Sequence, residues 1–394
     1  MHRFNPALTI TATALLTLPM LSGVANATSS SAAGQSAKPV VVVSGLNNPR
    51  QLSLTNGNVL LIAEAGNGGT LATFGGPEGG PQGIGRTGSI SAVWAPQHTR
   101  NASPRRIVTG LLSAAAPDGS GAVGSDGVSA YSLDNISIQE TFFPPAVVPA
   151  RDVKFNGQLL RSHEGDKPKA VANIAAFEAS HNPDGQAIDS DPYAVLQLPD
   201  YQLVADAAAN DVLKVDKRGH ISVFHKFANI VNPTCLAPQL QQPPPNLPGC
   251  QFVPTSLDTD KYGHVYVGAL AGLVPGQGRV VELSADGKHV LHTWTGFTAV
   301  TGVAVNDDGT LYVSQLFADE AAPINPAVQG VLTKITRSGK VSNLDVPFPA
   351  GVATDHCGNV YVSAFSIAPS AGLADPSTGV VLPGTSGQVW RLHW

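Results

Sequence analysis

Two stretches decide the fold: Gly302-Val-Ala-Val-Asn-Asp-Asp-Gly-Thr-Leu-Tyr-Val-Ser-Gln315 and Gly351-Val-Ala-Thr-Asp-His-Cys-Gly-Asn-Val-Tyr-Val-Ser-Ala364. Each reads as a short alternating strand, an Asx/Gly turn and a second alternating strand, with Gly supplying the positive φ that other residues adopt only at a cost. Thr255 to Ala269 matches both, while Asn48 to Glu64 and Tyr193 to Asp206 repeat the scheme with looser turns. Self-similarity over this period is the mark of a repeat architecture.

A second signature follows each hairpin: a small or polar residue, then apolar residues two and five positions on. It spans Gly88 to Val93, Asn210 to Val215, Gly278 to Leu283, Gly330 to Ile335 and Gly387 to Leu392. After several of these, a turn (Arg218-Gly219, Asp286-Gly287, Ser338-Gly339) leads to a short fourth strand. Four such strands make one propeller blade. A sixth, weaker hairpin is placed at Val128 to Glu140, in the long interval between Glu64 and Asp206. The last blade runs out of chain after three strands, at Gln388 to Trp394, and Val40 to Val43 is a strand without a hairpin partner. Pairing the two ends closes the ring and removes two exposed sheet edges. The expected fold is all-β, one six-bladed β-propeller over residues 39–394, of the NHL/gluconolactonase-like kind, and a monomer is expected.

The first residues read as a secretory signal. His2 and Arg3 precede an apolar run from Ala7 to Leu21, and Ala25-Asn26-Ala27 is the small-x-small pattern of a cleavage site. The run is shorter than the roughly 20 residues a membrane span needs. Residues 1–27 are therefore expected to be removed and 28–38 to form a disordered leader, so that the mature protein is secreted (extracellular or periplasmic) and soluble. Charged residues are sparse, at 13 %, and the net charge is −5 with no Lys/Arg stripe, which argues against a nucleic-acid partner. Cys235 and Cys250 bracket a Pro-rich loop and are expected to form a disulfide in an oxidising compartment. Cys357 lies in the turn Asp355 to Gly358 and reads as a free thiol.

Several segments together resemble the ScyD/ScyE family of exported propeller proteins: Val43 to Arg50, Ala63 to Gly69, Arg106 to Ser113, Phe177-Glu178, Asn182 to Gly185, Asp189 to Tyr193 and Val204 to Asp211. The resemblance covers nearly the whole mature chain. It implies a propeller and export, and it implies no activity. Where that family favours Gly after Asp-Ala, this chain has Ala208.

In a propeller the starts of the first strands and the ends of the second strands open on one face around the axis. The connections after Glu64, Gln315 and Ala364 are long on that face, and long loops are how a propeller builds a binding surface. Residues brought there are Arg50, Glu64, Asp191, Tyr193, Asp206, Asn210 and Gln315. Glu64, Asp206 and Asn210 are candidate ligands for a hard cation such as Ca2+, which takes oxygens. The bland alternative is that these carboxylates cap backbone N–H groups or pair with Arg, Arg50–Glu64 being the obvious pair. Residues 168–181 show helical spacing, and the helix either lies across this face as a partial lid or fills a hole between blades. His163 and His181 flank it as surface residues. No Gly-x-Ser-x-Gly elbow, His-Glu-x-x-His, P-loop or Cys-x-x-Cys occurs.

Three functions are compatible with this pattern. One is a non-catalytic propeller binding a small molecule, polysaccharide or protein through the loop-rich face. The second is a metal-dependent hydrolase or lyase, by analogy with gluconolactonase-type and streptogramin-lyase-type propellers. The third, a role in making or exporting a secondary metabolite, comes only from the family's naming after genes of the scytonemin cluster.

Overall fold

The computed structural model describes residues 39–76, 80–317, 330–367, 373–374, 381–382 and 386–394. The predicted signal peptide and leader, and most of the long connections after Gln315 and Ala364, lie outside the described residues. Six antiparallel sheets succeed one another as blades. Their first strands are Pro49–Leu54, Ser125–Ser132, Pro192–Gln197, Pro254–Thr259, Val300–Val305 and Val352–Thr354, and these touch one another in ring order. Blade one carries one extra strand, Ala72–Gly75, beside the long third strand Pro81–Trp94.

The repeated turn has a local cause. Asp216, Asp260 and Asp355 each accept two backbone N–H groups from the turn they start, and Gly219, Gly263 and Gly358 sit at φ of +85°, +82° and +81°. An aspartate and a glycine at that spacing thus nucleate each hairpin without help from the rest of the fold.

Closure occurs as the sequence predicts. The strand Val40–Leu46 pairs antiparallel with Gly387–His393, so that Val43 faces Val389 and blade six takes its outer strand from the other end of the chain. Each blade interface has its own apolar cluster. Blades one and two share Leu61, Ile90, Val128 and Ile138, and blades six and one share Val42, Val43, Leu60, Tyr361 and Val389. Clusters of the same kind fill the other four interfaces. Stability is thereby distributed over repeated interfaces rather than one central core.

Blade two confirms the hairpin expected near Val128 to Glu140 and adds Gln158–Ser162 and Lys169–Asn173, which the sequence reading left without strands. The predicted helix over 168–181 is corrected to Ile174–His181. Its expected first half pairs with Gln158–Ser162 instead, burying Ala172 against Leu159. Ladder bonds and burial outweigh the helical spacing there. Asn173 then caps the helix by accepting from Ala176 N at 2.9 Å, and Asn182, at φ +41°, ends it. The Cys235–Cys250 disulfide is formed, and Cys357 is free and exposed.

Candidate functional site

A β-bulge near the start of the first strand recurs in blades one to five. Arg50, Asp126, Tyr193, Thr255 and Thr301 occupy these bulges, which re-aim side chains out of the pleat. They stitch one blade to the next. Thr255 Oγ1 donates to Val300 O at 2.7 Å, Thr301 Oγ1 donates to Pro349 O at 2.9 Å, and Arg50 pairs with Asp126 at 3.3 Å. Arg50 also donates to Ala122 O and Ser366 O. The expected Arg50–Glu64 pair is therefore replaced: Arg50 turns to the neighbouring blade, and Glu64 meets Arg106 at 2.8 Å.

Opposite the strand starts stand the second-strand ends. Glu64, Glu140, Asp206, Ala269 and Gln315 face Pro49, Ser125, Pro192, Pro254 and Val300 in register. Most close their own blade. Glu64 accepts from Ser91 Oγ and Asn47 N, Asp206 from Ser190 Oγ and Asp191 N, and Gln315 from Thr298 N. Of the predicted site residues, the structure brings Arg50, Asp191 and Tyr193 together around Asp126 and ties Asp206 to Asp191 through the Asp191 N–H, while Asn210 donates to Asp184. Glu64 and Gln315 each stay with partners of their own blades.

Asp126 and Glu140 belong to this group and were missed by the sequence reading. Their signal was the register itself: Glu140 occupies the blade-two position equivalent to Glu64 and Asp206. Burial first, then repulsion, lifts Asp126 to about 6 against the pull of Arg50, and Glu140 to about 8. Asp191, which accepts from Thr141 Oγ1, is raised by burial, and so is the Tyr193 phenol.

A second acidic group lies where the second strand of blade three ends and the third begins, Asp206 facing Asp211 in register. Helix residue Glu178 is 1 % exposed, Asp211 at the start of the third strand is 0 % exposed, and both oxygens of each lack a hydrogen-bond partner. The Asp189 N–H faces Glu178 without reaching hydrogen-bond geometry. Burial and the nearby Asp206 and Asp184 raise Glu178 to about 8; burial, Asp206, Glu178 and Asp184 raise Asp211 to about 9. Burial lifts Asp206 to about 7. Asp184 is tied into the loop by Gln186 Nε2 at 2.8 Å and Asn210 Nδ2 at 3.0 Å. Gln186 and Asn229 continue outward to Leu247, which docks the disulfide loop against this group.

Asp260, His264 and Glu282 form another cluster with metal-ligand chemistry. The His264 Nδ1 to Asp260 contact, at 3.1 Å, repeats in a turn of the same Asp-to-His spacing between the third and fourth strands of blade three, as His220 to Asp216, also at 3.1 Å. The Asp–His contact is turn chemistry shared by two blades, and Glu282, at 3.1 Å from His264 Nδ1, is the member found only here.

The axial cavity has a volume of about 630 Å3. Its wall begins at Gln51, Thr255, Thr301 and Gly351 and continues to the hairpin turns around Asn56, Asp307 and Cys357. It opens on the hairpin face, opposite the long loops. At the loop end, Gly127, Gly302 and Gly351 let adjacent first strands approach so closely that a Cβ would strike the backbone of Tyr193, Ala350 or Arg50.

No protein-family model and no curated protein matches the chain. Solved structures with similar architecture include a streptogramin B lyase, at 8 % identity and TM-score 0.44, covering 91 % of this chain and 97 % of that one. A candidate gluconolactonase matches at 11 % identity and TM-score 0.45, covering 91 % and 93 %. The PQQ-bound aldose sugar dehydrogenase of Streptomyces coelicolor matches at 12 % identity and TM-score 0.46, covering 91 % and 98 %. At this distance the likeness carries no inference about activity. No helix among the described residues is long and apolar enough to cross a membrane.

Proposed function

We propose that this protein is an exported, ligand-binding propeller of the ScyD/ScyE kind, and that its ligand is a neutral, hydroxyl-rich molecule such as a saccharide taken into the axial channel from the hairpin face. The channel itself supports this reading. Its size falls in the range of small-molecule sites, roughly 300–1,000 Å3. Gln, Ser, Thr and Asn side chains punctuate the first-strand backbones that line it, and Tyr131, 38 % exposed, stands in the wall. Such a wall offers paired donors and acceptors to hydroxyls and an aromatic face to a ring. Export is supported by the N-terminal signal pattern and agrees with the disulfide.

The test is a panel of neutral mono- and oligosaccharides screened by saturation-transfer NMR on the mature protein. At least one is expected to bind, and Tyr131→Ala is expected to weaken it about tenfold, the loss of one stacked ring. Absence of binding across the panel, or an unchanged affinity in the variant, overturns the channel as the site.

One observation favours a second reading, a metal-dependent hydrolase or lyase on the loop face. Glu140 is wholly buried with one oxygen unpaired, and it is close enough to Asp126 for their charges to repel. Arg50, Asp191 and Tyr193 complete that group. Turnover of lactones or esters that depends on a divalent ion and is lost in Glu140→Gln supports this reading; inertness of the wild type overturns it.

A further inference from the structure

Blades four, five and six share four equivalent places at their hairpin ends. The first turn opens at Asp260, Asn306 and Asp355 and closes at His264, Thr310 and Asn359, whose carbonyls accept the N–H of the opening residue. A second-strand tyrosine follows, Tyr266, Tyr312 or Tyr361, and the third-strand residue opposite it in register is Glu282, Lys334 or Arg391. Blades five and six place a base and a neutral turn residue there. Blade four places an acid and an imidazole instead, beside the second acid of Asp260. Asp260 Oδ1 accepts from Tyr262 N and His264 N at 2.8 and 2.9 Å, which aims Oδ2 at His264 Nδ1, 3.1 Å away. Glu282 Oε1 stands 3.1 Å from the same nitrogen. A neutral imidazole has at most one Nδ1 proton to share between two carboxylates. Among the described residues, the only ion pairs that reach Asp260 and Glu282 come from His264. Lys261, next in sequence to Asp260, reaches across to Asp307 O on blade five. His292, opposite Glu282 on the outer strand, packs its ring against Trp294.

We propose that Asp260, His264 and Glu282 hold one divalent ion of the zinc class at the hairpin end of blade four, through a carboxylate oxygen of each acid and Nδ1 of the histidine. These three ligand atoms lie within 4.8 Å of one another. Donors of a tetrahedral zinc ion, at about 2.0–2.2 Å from the metal, are roughly 3.3–3.6 Å apart, so small side-chain movements complete the site. The imidazole selects the metal class. It suits zinc and its neighbours, whereas calcium takes six to eight oxygens and magnesium keeps an all-oxygen octahedron. The side chains are 11 % (Asp260), 33 % (His264) and 17 % (Glu282) exposed, so an ion can enter from solvent and water can fill the fourth position. Turn and third strand would then be joined by coordination where blades five and six have none. The site lies apart from the channel, since none of the three residues is in its wall, and it stands independently of the saccharide reading above.

The decisive experiment titrates chelator-treated mature protein with zinc by calorimetry at pH 7.5, and with cobalt(II) by visible absorption. Wild type is expected to bind one ion of either metal per chain, cobalt giving the bands of a tetrahedral site, with calcium in large excess failing to compete. Two variants borrow residues that the other blades already tolerate at these places: Glu282→Lys takes the residue of blade five and His264→Asn that of blade six. Each is expected to bind zinc at least about a hundredfold more weakly and to lose the cobalt bands. His220→Asn, in the blade-three turn that lacks a third ligand, and Cys357→Ser, at the exposed thiol, are expected to bind as wild type does. No zinc binding by wild type overturns the site, and so does unchanged affinity in Glu282→Lys or His264→Asn. Binding lost in His220→Asn or Cys357→Ser places the ion elsewhere and equally overturns it. Should one of the two blade-four variants fail to fold, the other decides.

Discussion

The second strands of blades one and three end in acids at the same register position, Glu64 and Asp206, yet the two ends are electrically opposite. Around Glu64, the fourth strand supplies Arg106 and the third supplies Ser91, so a fully buried carboxylate has both a charge partner and donors. Around Asp206, neighbouring segments add Glu178, Asp184 and Asp211, and among the described residues no ion pair reaches any of the four. Register places the residue; the outer strand and the connecting loops decide its chemistry. An equivalent position in a repeat protein therefore predicts location well and function poorly.

The largest expected effect comes from removing the charge partner of the axial pair. Arg50→Met leaves Asp126, 0 % exposed, without its base, and leaves Ala122 O and Ser366 O without their donor. Breaking a buried pair on one side costs about 3–5 kcal/mol. Urea unfolding should show that loss, and Arg50→Met/Asp126→Asn should recover a large part of it. A loss below about 1 kcal/mol would mean that blade three's tolerance of unmatched acids extends to the axis.

Much of this was legible from hairpin repeats. Gly263, Gly309 and Gly358 mark turns that need no tertiary context, and the unpaired strand at Val40 announced closure. Arg50, Asp191 and Tyr193 could be placed on one face because strand direction alternates predictably. Their partners could not. A bulge shifts register by one residue, and no local pattern reveals whether Arg50 turns toward Glu64 or toward Asp126 on the next blade. The carboxyls at Glu178 and Asp211 were hidden for a related reason. Glu178 sat in a segment whose helical spacing was half overridden by strand pairing, and Asp211 read as one more polar start to a third strand. Neither shows as unmatched until the fold excludes bases from around it.

A smaller, pH-dependent effect distinguishes Glu140 from Glu64 at their shared position. Glu140 holds its proton up to about pH 8 in the folded protein, against 4.5 for an unperturbed glutamate, because burial disfavours the charge. Between those values the folded state binds more protons than the unfolded one. The contribution is therefore fully present below the unfolded value and is lost as pH rises toward the folded one. Wild-type stability should fall by about 2 kcal/mol between pH 6 and 8 from this group alone. Glu140→Gln, keeping the acceptor for Ser125 Oγ, should remove that part of the slope. Denaturation series at pH 6 and 8 measure it, and parallel slopes in the two proteins would mean that Glu140 is ionised in the fold.

The smallest effect tests whether blade one's acid is matched as tightly as its geometry suggests. The Arg106 side chain is 32 % exposed, so water screens part of its attraction to Glu64. Ser91 Oγ at 2.6 Å and Asn47 N at 2.7 Å remain as donors when the arginine is gone. Arg106→Ala should therefore cost only about 1–2 kcal/mol, less than Arg50→Met, although both remove the base from a wholly buried acid. Arg106→Lys should recover more than half of the loss, because both bonds leave from the single nitrogen Nη2 and one ammonium offers the same two donors to Glu64 and Gly45 O. A cost equal to that of Arg50→Met would show that the two backbone and hydroxyl donors contribute little. Glu64 would then depend on its base as fully as Asp126 does, and the contrast with blade three would rest on charge alone.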